Sequence, residues 1–515
     1  MAVGLAGVFT ALYVWAAPSL AYQHWDSLEY GFAADSRGPN AIWGNHPLGH
    51  VLQRGVYTIA TTAGYDGHAL PVLKAISGVA GGIAVGAFFA LLATLRRIGG
   101  LAATRLGDVG WACLFGGAYG FWRFSGTADI YSIAAAALIV TLTTMLIAVT
   151  RGSVLWCGIT GALAAVATLS HQLTGVLLAA TALGLLPLWR RHGSRTAIAG
   201  IVVMAASSVS VLIAGYALFG WLALHSLEPG RILAWAKGYS GDPTYGRYLT
   251  LLGLSHAVFA STETLARHTD GAIEMTRRVL LGAGLIWLLV FTWRLGRLPV
   301  DARVIARAIL LQCGVGWALV IWWEPGLVGK FWLLLLPGFL IWCRYVLAVT
   351  PGLSSRGLVT ALPVAAGLIV LAYNWTATMS YERRPNEVFE RSLNLWIAHS
   401  RPDDVLVETG RFTGHLLFWG RRAGTANVYR LLQEGHNDGD PYAPMRELFD
   451  RTKREGRDVI FAPGLSSYFT DDRLSVVGTT RADLEAFFDS YRWEGPLFEY
   501  QEDHGHPTKQ AFRLQ

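Results

Sequence analysis

Long apolar runs follow one another from the start of the chain to about Trp375, separated by short connections in which arginine recurs. This alternation sets what the polypeptide can become. A helix needs roughly 20 residues to cross about 30 Å of hydrocarbon. That length yields eleven candidate spans: 4–22, 69–95, 108–121, 127–149, 153–169, 172–189, 197–223, 278–294, 304–323, 331–348 and 357–375. Three are short (108–121, 153–169 and 172–189), and short helices suit broken or re-entrant geometry near polar groups. The first run lacks a basic leader and further spans follow it, so it reads as a transmembrane helix and not as a signal peptide. The expectation is a polytopic α-helical membrane protein with about 11 transmembrane helices.

Charge then sets sidedness. The chain carries +7 with a pI of about 9.2. In a soluble protein that would suggest nucleic acid. Here the arginines (Arg96, Arg97 and Arg105; Arg190, Arg191 and Arg195; Arg294, Arg297 and Arg303) sit in connections that alternate onto one side. The positive-inside rule makes that side cytoplasmic, and no nucleic-acid partner is implied. The N-terminus is then cytoplasmic, and an odd number of spans puts the C-terminus outside. Sparse lysine beside abundant arginine, alanine and glycine hints at a GC-rich bacterial genome, and so at a bacterial inner membrane. The four cysteines lie in apolar runs without metal-ligand spacing and read as small hydrophobes.

Beyond Trp375 charged residues crowd in (Glu382, Arg383, Arg384, Glu387, Glu390, Arg391), although they make up only 15% of the whole chain. The shift marks a boundary between a membrane domain, 1–375, and an extracytoplasmic domain, 376–515. In the latter, a helix after Pro385 directs Val388, Phe389, Leu393 and Trp396 to one face. Val405–Val407, Asn427–Tyr429, Asp458–Phe461 and Ala511–Leu514 read as strands, the last closing the sheet. Ala443–Glu455 reads as a helix, and Thr480-Arg481-Ala482-Asp483 as the cap of another through Ser490. Alternating strands and helices predict a small α/β soluble domain.

The polar residues at the outer ends of the spans are the candidates for chemistry. Asp26 and Glu29 follow the first span, three apart and on one face if helical. A partly desolvated carboxylate there suits a general base; ordinary interfacial charge is the plain alternative. His46 and His50, four apart, can share a helix face and bind a metal, although no HExxH pattern is present; the plain alternative is a turn made by Pro47 and Gly49, from which a helix starts at Val51. Between the third and fourth runs, Arg123 offers a planar cation for a phosphate. Trp122 and Phe124 suit interfacial anchors. Asp129 sits where a helix N-terminus favours negative charge. His171 separates the fifth and sixth runs, where a polar residue is either functional or part of a turn. Glu324 and Lys330 lie in the connection before the tenth run. All converge on one membrane face.

At these residues the chain resembles the GT-C superfamily of polytopic glycosyltransferases, and within it the protein O-mannosyltransferase-like branch. The Asp-Ser-Gly-Glu segment of that branch is matched by Asp26-Ser27-Leu28-Glu29, and its His-Pro-Pro-Gly-Tyr segment by His46-Pro47-Leu48-Gly49-His50. Its Phe-Trp and acidic-then-Tyr elements are matched by Phe121-Trp122 and Asp129-Ile130-Tyr131, and its histidine between apolar helices by His171. Leu28, Leu48, His50 and Asp129 depart from the pattern. The resemblance implies inverting transfer of a sugar from a polyprenyl-phosphate donor to a hydroxyl acceptor. It implies Asp26 as base, Glu29, His46 and His171 as positioning groups, Arg123 and Lys330 on the leaving phosphate, and neither metal nor cofactor.

Two other classes fit a polytopic chain. A flippase or transporter of lipid-linked saccharides needs charges along a path through the spans, whereas here they gather at one face. No internal repeat supports it. A non-catalytic receptor would work through its C-terminal domain. Sidedness is directly checkable: a reporter fused after Gln515 is expected to read as extracytoplasmic, and a cytoplasmic signal would overturn the orientation.

Overall fold

The computed structural model describes residues 1–23, 25–36, 42–99, 104–237, 265–266, 272–323, 329–408, 415–416, 425–437, 439–462, 471–501 and 508–515. The chain divides into two compact units, Met1–Pro18 with Ala33–Arg383, and Ser19–Phe32 with Arg384–Gln515.

The larger unit is helical. In order it holds α1 (Ala2–Trp15), the end of α2 (Trp25–Ser36), α3 (Pro47–Thr62), α4 (Ala69–Gly99), α5 (Arg105–Gly117), α6 (Tyr119–Gly126), α7 (Tyr131–Arg151), α8 (Val154–Ser170), α9 (Gln172–Thr181), α10 (Leu186–Leu224), α11 (Pro229–Lys237), α12 (Ala272–Thr292), α13 (Val300–Trp323), α14 (Gly329–Leu333), α15 (Leu336–Val349) and α16 (Leu358–Asn374). The expected spans fall on these helices. α4, α7, α13 and the stretch Ala182–Leu224 are long and apolar enough to cross a membrane, and α1, α8, α15 and α16 are shorter apolar helices. With this composition the chain is an integral, polytopic α-helical membrane protein.

Several boundaries differ from expectation for local reasons. α1 stops at Trp15 and not near residue 22, because Pro18 has no N–H for the ladder and turns its predecessor away from helical backbone. The expected span 108–121 is broken at Ala118, whose ψ of 133° is extended. Gly193 adopts φ 84° inside α10, a left-handed conformation that glycine alone takes cheaply, and it divides that stretch where the basic connection 190–196 was expected.

Neighbouring helices pack as α1 on α4, α4 on α7, α7 on α8, α8 on α10 and α5 on α16. Small residues bring α1 and α4 together: a Cβ on Gly82 would overlap Thr10 and the Ala6 carbonyl. Between apolar helices, close packing of small residues replaces the hydrophobic drive that water supplies elsewhere. Inside this unit lies one ion cluster that span hydropathy conceals. Asp108, fully buried, accepts from Arg344 Nη2 at 2.7 Å and from Arg96 Nε at 3.0 Å. Arg344 is buried too, and its Nη1 donates to the Leu92 carbonyl at 2.9 Å. The cluster ties α4, α5 and α15.

The smaller unit is an α/β domain. Its five-stranded mixed sheet has the order β2 (Ala426–Asn427), β1 (Val405–Glu408), β3 (Val459–Phe461), β5 (Lys509–Leu514), β4 (Trp493–Tyr500). β1 is parallel to β2 and β3; β5 is antiparallel to β3 and β4. Alternation along the strands builds two cores. Val405, Val407, Val459 and Phe461 face Phe449, Leu484 and Phe488. Leu406 and Ile460 face Phe389, Leu393 and Trp396 of the helix Glu387–Ala398, together with Ala21 and Tyr22. Asn386 Nδ2 donates to Tyr22 Oη at 3.4 Å, so the segment after α1 is part of this domain. Thr480 caps its helix as expected, accepting from Asp483 N.

Two strand expectations need correction. Val428 and Tyr429 are helical, because Val428 and Leu432 form an i,i+4 apolar stripe buried on the sheet. Ala511–Leu514 lies inside the sheet and not at its border, because β4 covers it. Gly495 and Pro496 hide β4 from a pattern search, and an edge strand is where proline is tolerated.

Replacing Arg344 by Met leaves Asp108 buried without its nearest cation. We expect a loss of about 3–5 kcal/mol, read as a lower midpoint of thermal unfolding in detergent. The double change Arg344→Met with Asp108→Leu should recover most of it.

Candidate active site

The site is built where helices break. α8 ends at Ser170 and α9 starts at Gln172, and His171 serves both. Its N–H donates to Ala167 O at 3.0 Å, and its Nδ1 accepts from Leu173 N at 3.2 Å. The ring is therefore fixed by the break itself and is 1% exposed.

His46 and His50 come from the start of α3. That helix begins at Pro47, four residues before the expected start at Val51, because proline's missing N–H costs nothing in the first helical turn. The two histidines thus lie one turn apart, with ring centroids separated by 4.7 Å, and both are buried. His171 stacks on His46 at 5.9 Å with 27° between the planes. Trp43 lies 5.4 Å from His46 and 5.2 Å from His50. Tyr131, at the start of α7, lies 5.1 Å from His171, and Phe331 of α14 lies 6.2 Å from it. Lys330 is the preceding residue of that short helix.

α3 packs closely on the turn before α7: Gln53 Nε2 donates to Ala128 O at 3.5 Å, and Gly49 fits against Ile130. Asp129 in that turn is fully buried. Its Oδ1 accepts from Ile130 N at 2.8 Å, and its carbonyl accepts from Ser77 Oγ at 2.6 Å. Three imidazoles are thus gathered where α3 and α9 begin, with aromatic faces beside them, and α3 packs on the turn that carries Asp129. Imidazole N–H groups suit phosphate oxygens and carboxylate oxygens suit hydroxyls. Among the described residues no group of His, Cys, Asp and Glu is arranged to hold a metal.

Arg123 donates from Nη1 to Tyr119 Oη at 2.6 Å, one turn back on α6. Trp122 and Phe124 are not interfacial anchors but buried. Trp122 meets Tyr13 edge-on at 6.3 Å and stacks on Trp375 at 5.9 Å, while Phe124 packs on Tyr131. Asp26 and Glu29 lie on α2, in the part of the chain that groups with the smaller unit. Glu324 lies outside the described residues.

Besides Asp108 and Arg344, sequence reading passed over Lys74 and Gln172 of the larger unit. Lys74, within an apolar run, donates to Pro18 O at 2.7 Å. Gln172 donates to three acceptors in other segments. A polar residue inside an apolar run was the available signal for each.

No family model and no curated relative matches the sequence. Solved structures do. The archaeal oligosaccharyltransferase AglB from Archaeoglobus fulgidus, in complex with an inhibitory peptide and a dolichol-phosphate, aligns at 14% identity over 99% of this chain and 74% of that one, with a TM-score of 0.55. ArnT from Cupriavidus metallidurans, bound to undecaprenyl phosphate, aligns at 13% identity over 99% of this chain and 97% of that one, with a TM-score of 0.51. The chain has the GT-C fold. A yeast protein O-mannosyltransferase bound to its sugar donor also matches, at 18% identity over 44% of this chain. This chain spans 33% of that one, and the TM-score of 0.35 is too low to select a branch of the GT-C fold.

The capping Nδ1 of His171 can be replaced by a side-chain carbonyl oxygen. His171→Ala is expected to cost roughly 1 kcal/mol of stability through the lost cap, and His171→Asn to restore most of it. Comparing the thermal midpoints of the two variants checks this.

Proposed function

We propose that this chain transfers one sugar, with inversion, from a polyprenyl-phosphate donor to a hydroxyl acceptor at the outer face of the membrane. The observation that carries the reading is the buried gathering of His46, His50 and His171 where α3 and α9 begin, with α3 packed on the turn that carries the buried Asp129. The GT-C neighbours add support, since two of them are described with a polyprenyl-type phosphate bound.

In this reaction the acceptor oxygen attacks the anomeric carbon from the face opposite the phosphate. The anomeric C–O bond breaks, and the polyprenyl phosphate leaves with the electron pair. The acceptor proton goes to Asp26, which the resemblance nominates as base. Glu29 and Glu324 help orient the acceptor. His46, His50, His171 and Asp129 hold the sugar-phosphate, and Arg123 and Lys330 offset the charge that grows on the leaving group. Trp122 supports this region through the aromatic packing it shares with Tyr13 and Trp375. The membrane lipid supplies the apolar phase in which the donor tail lies. The N-terminus is cytoplasmic and the α/β domain extracytoplasmic in this scheme, placing that domain where acceptors arrive. A mannosyl donor is the first to try, on the strength of the motif resemblance.

Purified full-length protein is to be incubated with a panel of polyprenyl-phosphate sugars, with products read by mass spectrometry. Transfer should be found with at least one donor, and Asp26→Asn should lower it by about 10²- to 10⁴-fold without changing yield or melting behaviour. Near-normal turnover in that variant excludes Asp26 as the base. Movement of labelled lipid across proteoliposomes without any covalent product would replace transfer by transport.

A further inference from the structure

Gln172 holds three separate parts of the larger unit together. Its backbone N–H donates to Asn45 O at 3.1 Å. Its side-chain Nε2 lies 2.7 Å from Ala236 O, 3.1 Å from Tyr216 Oη and 3.4 Å from Gly44 O. A second tie runs parallel to it: Trp235 Nε1 donates to Ile42 O at 3.1 Å, and its ring meets Tyr216 edge-on at 6.4 Å. The fit is tight, because a Cβ on Gly44 would overlap the Trp235 carbonyl. Residues 42, 44 and 45 are therefore each tied to α9 or α11. The next residue along the chain is His46.

We infer that Gln172 is a positioning residue: with Trp235 and Ala236 of α11 it clamps segment 42–46, and so sets His46 and His50 against His171. The clamp is needed because His46 precedes its helix. It is the N-cap of α3, with non-helical φ −153° and ψ 53°, so its ring position depends on how the preceding segment is held. An amide suits the task because it presents two N–H groups to backbone carbonyls without a charge. The kinetic consequence, though not the clamp, rests on the proposed sugar transfer. A shift of about 1 Å in a positioning group can cost on the order of 10²-fold in rate.

The test uses the full chain in nanodiscs and two readouts, hydrogen exchange of the 42–46 amides and transfer kinetics. In Gln172→Ala, exchange at 42–46 should rise at least ~10-fold through local opening. The kcat for transfer should fall roughly 10- to 100-fold while the donor KM changes little. In Gln172→Glu, an ionised carboxylate faces the carbonyls of Gly44 and Ala236 and cannot donate. Exchange should match the alanine variant at neutral pH and approach wild type as the carboxyl protonates. Trp235→Phe, which removes only the second tie, should loosen 42–46 less than Gln172→Ala. Unchanged exchange at 42–46 in both Gln172 variants overturns the clamp, and raised exchange with unchanged kcat overturns its positioning role. Raised exchange in the variants, with no product from the wild-type protein and any donor, leaves the clamp standing and removes the transferase reading.

Discussion

The hydrogen bonds that close the helix break at Ser170–Gln172 are what the rest of this site depends on. Backbone that leaves a helix among apolar neighbours finds no water and needs internal partners. His171 meets part of that need within its own two helices, as the last acceptor-seeking N–H of α8 and the side-chain cap of α9. The first amide of α9, which has no partner in its own helix, goes instead to Asn45. That one donor makes the break a junction: the segment it reaches leads directly into His46. The same requirement that forces a polar side chain into the break also brings a second helix start to it.

The fold and the chemistry come from different parts of this arrangement. Close helix packing through small residues, and the Asp108–Arg344 pair, hold the helices without touching the histidines. The GT-C fold, shared at only 13–14% identity, therefore says how the helices are arranged and leaves the donor open. In the proposed transfer, specific chemistry falls to the few side chains at helix ends, where a change of residue can alter the ligand without altering the scaffold.

Much of this was legible in the sequence because hydropathy is summed over many residues. A run of 20 apolar residues states its helix repeatedly, so single errors do not matter. The small domain was legible where alternation was clean, as at Val405–Val407 and Asp458–Phe461, and where a cap was spelled out, as at Thr480. It failed where one residue carried the decision. Pro496 concealed an edge strand; Val428 served a helix stripe in a segment that read as extended. For the site, the types and positions of His46, His50, His171 and Asp129 were readable. Their convergence depends on contacts between residues 75 to 125 positions apart, for which a single sequence has no signal. Gln172 offered only its polarity at the edge of an apolar run, with no charge or spacing to add to it, although it links α9 to three other segments.

The smaller unit is discontinuous, and this imposes an order on assembly. Ala21 and Tyr22 complete a core otherwise made by Phe389, Leu406, Ile460, Phe498 and Ala511. Roughly 400 residues of translation, or on the order of 20–80 s at ordinary elongation rates, separate the two contributions. Throughout that interval the helical unit can insert and pack, while the segment bearing Asp26 and Glu29 waits for strands not yet made. A nascent or prematurely ended chain therefore has its membrane scaffold before its acidic pair is anchored. In the proposed transfer, Asp26 would then act only after that core has closed.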